Sequence, residues 1–61
     1  MNDLSMLRTA KVVLDRHGPD ALIHCGRMAD QMIEKGDVRG YEIWCAILAL
    51  IESARAHTQA Q

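Results

Sequence analysis

The longest apolar run of the sequence, from Ile43 to Ile51, does most to constrain the fold. Its only polar side-chain groups are the Trp44 indole N–H and the Cys45 thiol. On a helix, with about 100° between successive residues, the apolar side chains between Tyr41 and Ala54 cover roughly half of the circumference. Such a face is wider than a surface helix needs, so other parts of the chain must pack against it. The run is too short to span a membrane, because spanning takes about 20 apolar residues.

Two glycine-containing turns divide the chain into three helical segments. Gly18 can take the left-handed conformation that ends a helix, and Pro19 suits the first turn of the next one. Gly36 provides a second stop, and Asp37 offers a side-chain oxygen to the free N–H groups of the helix that follows. We therefore predict helices over about residues 3–17, 19–35 and 38–57, with residues 58–61 as a frayed tail.

The length of the chain and its short turns predict one all-α domain. A chain of 61 residues makes one domain at most. The short turns at 18–19 and 36–37 favour an up-down-up three-helix bundle, or a hairpin of helices two and three crossed by helix one. A domain of this size buries only about 60% of the surface that its unfolded chain exposes, so oligomerisation is an expected source of extra stability.

The predicted core is made of the apolar side chains that share one face in each helix. Trp44 is its expected centre, because the chain contains no Phe and only one Tyr. The predicted core residues are Leu7 and Leu14 in helix one, Leu22, Cys25 and Met32 in helix two, and Trp44, Leu48 and Ile51 in helix three.

The charge pattern disfavours nucleic acid and membrane surfaces as partners. Seven basic and eight acidic side chains give a net charge of −1, without a long block of either sign. A helix-turn-helix would need Arg, Lys, Asn or Gln along its second helix. Helix three instead presents Ile, Leu and Ala, with Arg39 and Arg55 at opposite ends. A small DNA-binding regulator of the helix-turn-helix type is therefore kept only as an alternative function.

The histidines and cysteines do not form a recognisable metal or catalytic motif. His24 and Cys25 are adjacent, so they diverge by about 100° on a helix, and the sequence has no CxxC or HxxxH pair. A nucleophile would also need a base, an orienting group and a deep cleft, for which three short helices leave little room. His17 is expected to cap helix one or to pack at the first junction. We expect no enzymatic activity, no metal and no cofactor.

The N-terminal sequence predicts a cytoplasmic protein. It has no basic segment followed by an apolar one, as a signal peptide would. In a reducing cytoplasm Cys25 and Cys45 are expected to remain thiols, which disfavours a disulfide between helices two and three.

One side of helix two carries polar side chains at helical spacing. They include pairs of opposite charge three or four residues apart, which stabilise a helix modestly. A solvated face is the simpler interpretation. The functional interpretation is a polar recognition face for another protein, formed by Asp20, His24, Arg27, Asp30 and Glu34.

Several short motifs follow one another along most of the chain, and their order resembles a group of small bacterial helical proteins of uncharacterised function. The matching residues are His17-Gly18-Pro19-Asp20-Ala21, Arg27-Met28-Ala29-Asp30, Gly36-Asp37 and Trp44. The resemblance implies a compact, cytoplasmic helical fold, and it transfers no catalytic residue.

Association with another protein is the function that the apolar surface favours. Val12 and Ile23 lie off the expected core faces, and the wide apolar arc of helix three adds Ile43, Ile47 and Leu50. Contiguous exposed apolar surface on a small protein usually marks an interface. We therefore predict a non-catalytic helical interaction module that forms a homodimer or binds another protein, with these five residues at the interface. Burying them would stabilise the small core by mass action.

Overall fold

The chain is built almost entirely of helix. A computed structural model describes the backbone of residues 3–59 and the side chains of residues 4–56. The elements are α1 (Asp3–His17), a 3-10 turn (Gly18–Asp20), α2 (Ala21–Glu34) and α3 (Val38–Gln59). This part of the chain contains no β-strand, so the predicted all-α class is confirmed. No helix within it has the length and apolar character needed to cross a membrane.

The first junction is a 3-10 turn between α1 and α2. Gly18 has a φ of +53°, in the left-handed region where a side chain would be strained. The prediction began helix two at Pro19, but the regular helix starts at Ala21 because the intervening residues form the tighter turn. Across this turn the rings of His17 and His24, seven positions apart in sequence, stack with centroids 4.0 Å apart.

The second junction combines a helix stop with a helix start. Gly36 has a φ of +79°, and its N–H donates to the carbonyl of Ile33 at 3.1 Å. The N–H of Asp37 donates to the carbonyl of Met32 at 2.8 Å, which completes a Schellman motif. Asp37 then caps α3, because its Oδ1 accepts the Gly40 N–H at 2.8 Å. The predicted roles of Gly36 and Asp37 are confirmed.

The C-terminal end of α3 extends beyond the predicted helix. Residues 58 and 59, expected in the frayed tail, belong to α3. Residues 60 and 61 of that tail lie outside the described residues.

A small core joins the three helices. The most extensive packing is between α2 and α3, and α1 lies mainly against α3. Ile47, Ile51 and Cys25 are the largest fully buried side chains. The rest of the cluster is formed by the smaller Ala10, Val13 and Ala21. Small side chains at a contact let helices approach closely.

The predicted core is correct for some residues and wrong for Leu7. Leu7 is 55% exposed. Because α1 turns Ala10 and Val13 inward, Leu7 lies about 60° from Ala10 around the helix and points to the edge of the contact. Two predicted core residues, Cys25 and Ile51, are fully buried. The half-buried ones are Leu14, Leu22, Met32, Trp44 and Leu48.

Ile47, in contrast to Leu7, is a predicted interface residue that the structure buries. It is 1% exposed and belongs to the core cluster. It occupies the middle of the apolar arc of α3, where α1 and α2 both cover it, so it is not available to a partner.

Candidate functional site

An apolar groove runs between α1 and α3. Its volume is about 350 Å³, at the small end of the range for ligand pockets and sufficient for a few side chains of another helix. Ala10 and Ile51 are buried at its base, and the exposed Leu7 stands at its edge. Arg8 and Lys11 line it as well. We call this surface the α1–α3 groove; its apolar residues are Leu7, Ala10, Leu14, Leu50, Ile51 and Ala54.

The α1 side of the groove continues a regular stripe along the helix. Leu4, Leu7, Lys11 and Leu14 follow one another at spacings of three, four and three residues. This is the spacing of a coiled-coil seam, with a lysine at one of the seam positions. Leu4 and Leu7 are 57% and 55% exposed, so most of this apolar surface has no partner within the described part of the chain.

The structure separates the five predicted interface residues. Leu50 is half-buried and lines the α1–α3 groove. Ile43 is also half-buried and lines a different pocket of about 300 Å³. Val12 is exposed on α1 outside the groove, and Ile23 is exposed beside the two histidines. Only Leu50 therefore lies at the groove, and Ile47 is in the core.

The contribution of α1 to this groove was not predicted from the sequence. Leu7 and Leu14 were assigned to the core because they share the apolar face of α1 with Ala10 and Val13. Helical angles limit the choice without deciding it, since Leu7 and Val13 lie about 120° apart around a helix and cannot both face α3 fully. A helix that buries Val13 must therefore leave Leu7 near its edge.

The second distinctive surface is built around two histidines. The rings of His17 and His24 are stacked, with centroids 4.0 Å apart and an interplanar angle of 15°. The ring of Trp44 meets His24 in a T-shaped contact, with centroids 5.7 Å apart. His24 was expected to face solvent, but it is half-buried between α1 and α3. Burial lowers the pKa of His24, and the charges of His17 and Arg27 lower it further.

The predicted polar face of α2 is divided between two places. Asp20 and Arg27 line a pocket of about 310 Å³ with the two histidines and Ile23, and we call it the histidine pocket. Asp30 and Glu34 are exposed farther along α2. Asp30 acts on Tyr41 of α3 and contributes to raising the pKa of that phenol, after the larger effects of Cys45 and burial.

The thiols provide no obvious catalytic centre. Cys25 is fully buried, and burial raises the pKa of its thiol, so the reactive thiolate is disfavoured. Cys45 is half-buried, and its proximity raises the pKa of the Tyr41 phenol. Neither cysteine is in a disulfide. Over the part of the chain that is described, no three His, Cys, Asp or Glu side chains converge as metal ligands would.

Arg55 has an internal role that the sequence did not reveal. Its Nη2 donates to the carbonyl oxygen of Gly18 at 2.7 Å. The guanidinium group is therefore engaged at the α1–α2 junction. Arg39, the other cation considered for phosphate contact, is exposed near the start of α3.

Comparison with family models, with curated proteins and with solved structures finds no match to this chain. The resemblance to small bacterial helical proteins therefore stays a prediction. A proposal for function must come from the two surfaces described above, of which the α1–α3 groove is the more apolar.

Proposed function

We propose that this chain is a small, non-catalytic helical interaction module that self-associates through the α1–α3 groove. The single observation that carries the proposal is the exposure of Leu7 at the edge of an apolar groove that also contains Leu14 and Leu50. Complete burial of one leucine side chain contributes roughly 1.5–3 kcal/mol. Leu4 and Leu7 are both more than half exposed, so much of this stabilisation is available only on binding.

The size of the chain is compatible with such an interface. A stable dimer of ordinary size buries about 800 Å² on each partner. The accessible surface of the chain is 4538 Å², so the interface would cover about a sixth of it. The apolar residues of the α1–α3 groove and Leu4 would form the centre, and Arg8 and Lys11 would belong to the polar rim.

A second copy of the chain is the preferred partner. In a two-fold dimer the same surface is used twice, so each subunit would place its Leu7 in the groove of the other. The coiled-coil spacing of Leu4, Leu7 and Leu14 supports a contact between helices. For the subunit itself we propose the hairpin of α2 and α3 crossed by α1, because α1 packs chiefly on α3. The cytoplasm remains the proposed compartment, in keeping with two free thiols.

A DNA-binding regulator is the alternative from a different functional class. The bond of Arg55 to Gly18 weighs against it, because it removes one of the two cations that helix three could offer to phosphates. Salt separates the two classes. Binding to DNA weakens steeply with salt, whereas association through an apolar groove changes little.

Sedimentation equilibrium over a wide concentration range tests the proposal. We expect the wild-type chain to form dimers and Leu7→Glu to be monomeric, because a charge at the groove would have to be buried. Leu50→Glu should act in the same direction, with circular dichroism to verify that this half-buried position still permits folding. Val12→Glu is the matched control, since Val12 is 49% exposed on the same helix but lies outside the groove. A monomeric wild type, or equal dissociation by Val12→Glu, would contradict the proposal.

A further inference from the structure

The stacked histidines are a feature that self-association does not use. His17 is the last residue of α1, and His24 lies in the first turn of α2. Their rings are nearly parallel, with centroids 4.0 Å apart. The ring of Trp44 in α3 makes a T-shaped contact with His24, with centroids 5.7 Å apart. Three rings, one from each helix, therefore meet beside the 3-10 turn.

Each element beside this pair carries a charged group at or next to the junction. A carboxylate near an imidazole favours its protonation, whereas a neighbouring guanidinium disfavours it. The 3-10 turn contributes the carboxylate of Asp20, and α2 contributes the guanidinium of Arg27. Arg55 of α3 binds the carbonyl of Gly18, the residue after His17, and Arg16 precedes His17 in α1. Of these cations, Arg27 is the one whose charge lowers the pKa of His24, so together with burial it favours the uncharged His24 ring.

We propose that the stack of His17 and His24 is a pH-sensitive lock on the junction between α1 and α2. At neutral pH, with His24 uncharged, the two rings pack face to face and hold the end of α1 to the start of α2. In mild acid a proton on His24 would meet the charge of His17 across 4.0 Å, and the rings would separate. The lock lies within one subunit, so it does not depend on the proposed dimer.

The direction of the pH effect follows from the lowered pKa of His24. In the opened state His24 regains its ordinary value of 6.5, so that state binds the proton more readily than the closed one. The closed junction is therefore most stable above pH 6.5 and is progressively weakened as the pH falls from 6.5 toward the lowered value. Ordinary carboxylates titrate below about pH 5, so they contribute little in this window.

NMR titration of the imidazole C–H signals in the full chain tests the coupling between the rings. In His17→Gln the midpoint of His24 should rise by up to about one pH unit, because the neighbouring charge is removed. Lys11→Gln is the matched control, because Lys11 is a cation that lines the α1–α3 groove and not the histidine pocket, and it should leave the His24 midpoint unchanged. A His24 midpoint that does not move in His17→Gln would overturn the proposal.

Amide hydrogen exchange, expressed as protection, tests whether the junction opens. As the pH falls from about 7.5 to 5.5, the equilibrium constant for opening at residues 13–17 of the wild type should increase. The increase should be up to roughly tenfold per pH unit for each extra proton that the open state binds. His17→Gln should show a clearly smaller increase, because the like charges never meet. Constant protection in the wild type, or an equal loss in both proteins, would show that the stack is not the lock.

Discussion

The Arg55 guanidinium donates a hydrogen bond to the Gly18 carbonyl at 2.7 Å and so joins the last turns of α3 to the α1–α2 junction. The last carbonyls of a helix lack intrahelical partners, and a basic side chain can satisfy one of them. Here the cation comes from another helix, 37 residues away in sequence. The same carbonyl accepts the Ala21 N–H, so two donors hold the residue that follows the end of α1.

We expect Arg55→Met to destabilise the fold by about 1–2 kcal/mol. A hydrogen bond from a charged donor contributes about 1.5–3 kcal/mol, and partial solvent exposure of this one reduces the value. Methionine keeps an unbranched apolar stem, so the change mainly removes the guanidinium group. Urea unfolding followed by Trp44 fluorescence measures the difference.

The matched control for Arg55 is Arg39→Met. Arg39 is an exposed cation near the opposite end of the same helix. Its replacement should change the free energy of unfolding by less than about 0.5 kcal/mol, as is usual for surface positions. Equal effects of the two substitutions would show that the bond to Gly18 contributes nothing specific.

The turns could be predicted because their chemistry is local. Gly18 and Gly36 were identified as helix stops from residue type alone, and both have positive φ values. Asp37 was identified as a cap in the same way, and it binds the Gly40 N–H. Such signals depend on neighbours within four residues, which the sequence displays directly.

The rotation of α1 could not be predicted, because it depends on packing between helices. The apolar side of α1 includes Leu7, Ala10 and Val13, and periodicity does not decide which of them face α3. The structure buries the two smaller ones and leaves Leu7 exposed. The contact of His17 with His24 was not predicted for a similar reason, since it spans the junction between two helices whose relative orientation depends on packing.

Gly40 and Gly26 should respond to alanine in opposite directions. A Cβ at Gly40 would lie 2.6 Å from Asp37 Oδ2 and 2.9 Å from Met32 Sδ, so the helix cap must shift. Loss of an N-cap costs roughly 0.5–2 kcal/mol, and we expect Gly40→Ala to destabilise the fold by about 1 kcal/mol. A Cβ at Gly26 meets nothing within 4 Å.

Gly26→Ala is therefore expected to stabilise the protein by about 0.5–1 kcal/mol, which is the usual gain in a helix interior. Thermal unfolding of both variants beside the wild type measures the pair. The result that contradicts this assignment is a gain in melting temperature for Gly40→Ala, since the cap would then have tolerated the added methyl group.

Ile47 and Leu7 should differ sharply when each is replaced by alanine. Ile47 is 1% exposed in the core cluster, so Ile47→Ala should cost about 2–4 kcal/mol through lost burial and the cavity left behind. Leu7 is 55% exposed, so Leu7→Ala should cost less than about 1 kcal/mol in the isolated subunit. The comparison must be made at low protein concentration, because a dimer would add stability to the wild type by mass action.

Urea titrations at two protein concentrations separate these contributions. At the lower concentration we expect a large decrease in the free energy of unfolding for Ile47→Ala and only a small one for Leu7→Ala. At the higher concentration the loss for Leu7→Ala should grow, because that variant also gives up an intersubunit contact. A loss for Leu7→Ala that matches Ile47→Ala at both concentrations would place Leu7 in the subunit core instead.

The two cysteines should differ in their rate of alkylation. Cys25 is fully buried and burial raises the pKa of its thiol, so it needs local unfolding and ionisation before it can react. Cys45 is only half-buried on α3, beside Tyr41. With iodoacetamide at neutral pH we expect Cys45 to be modified at least about tenfold faster, as measured by peptide mass spectrometry.

The control is the same reaction in concentrated guanidinium chloride, where both thiols are exposed and should react at similar rates. Faster modification of Cys25 in the folded protein would mean that the contact between α2 and α3 opens readily, which the burial of Ile47 and Ile51 against that helix argues against.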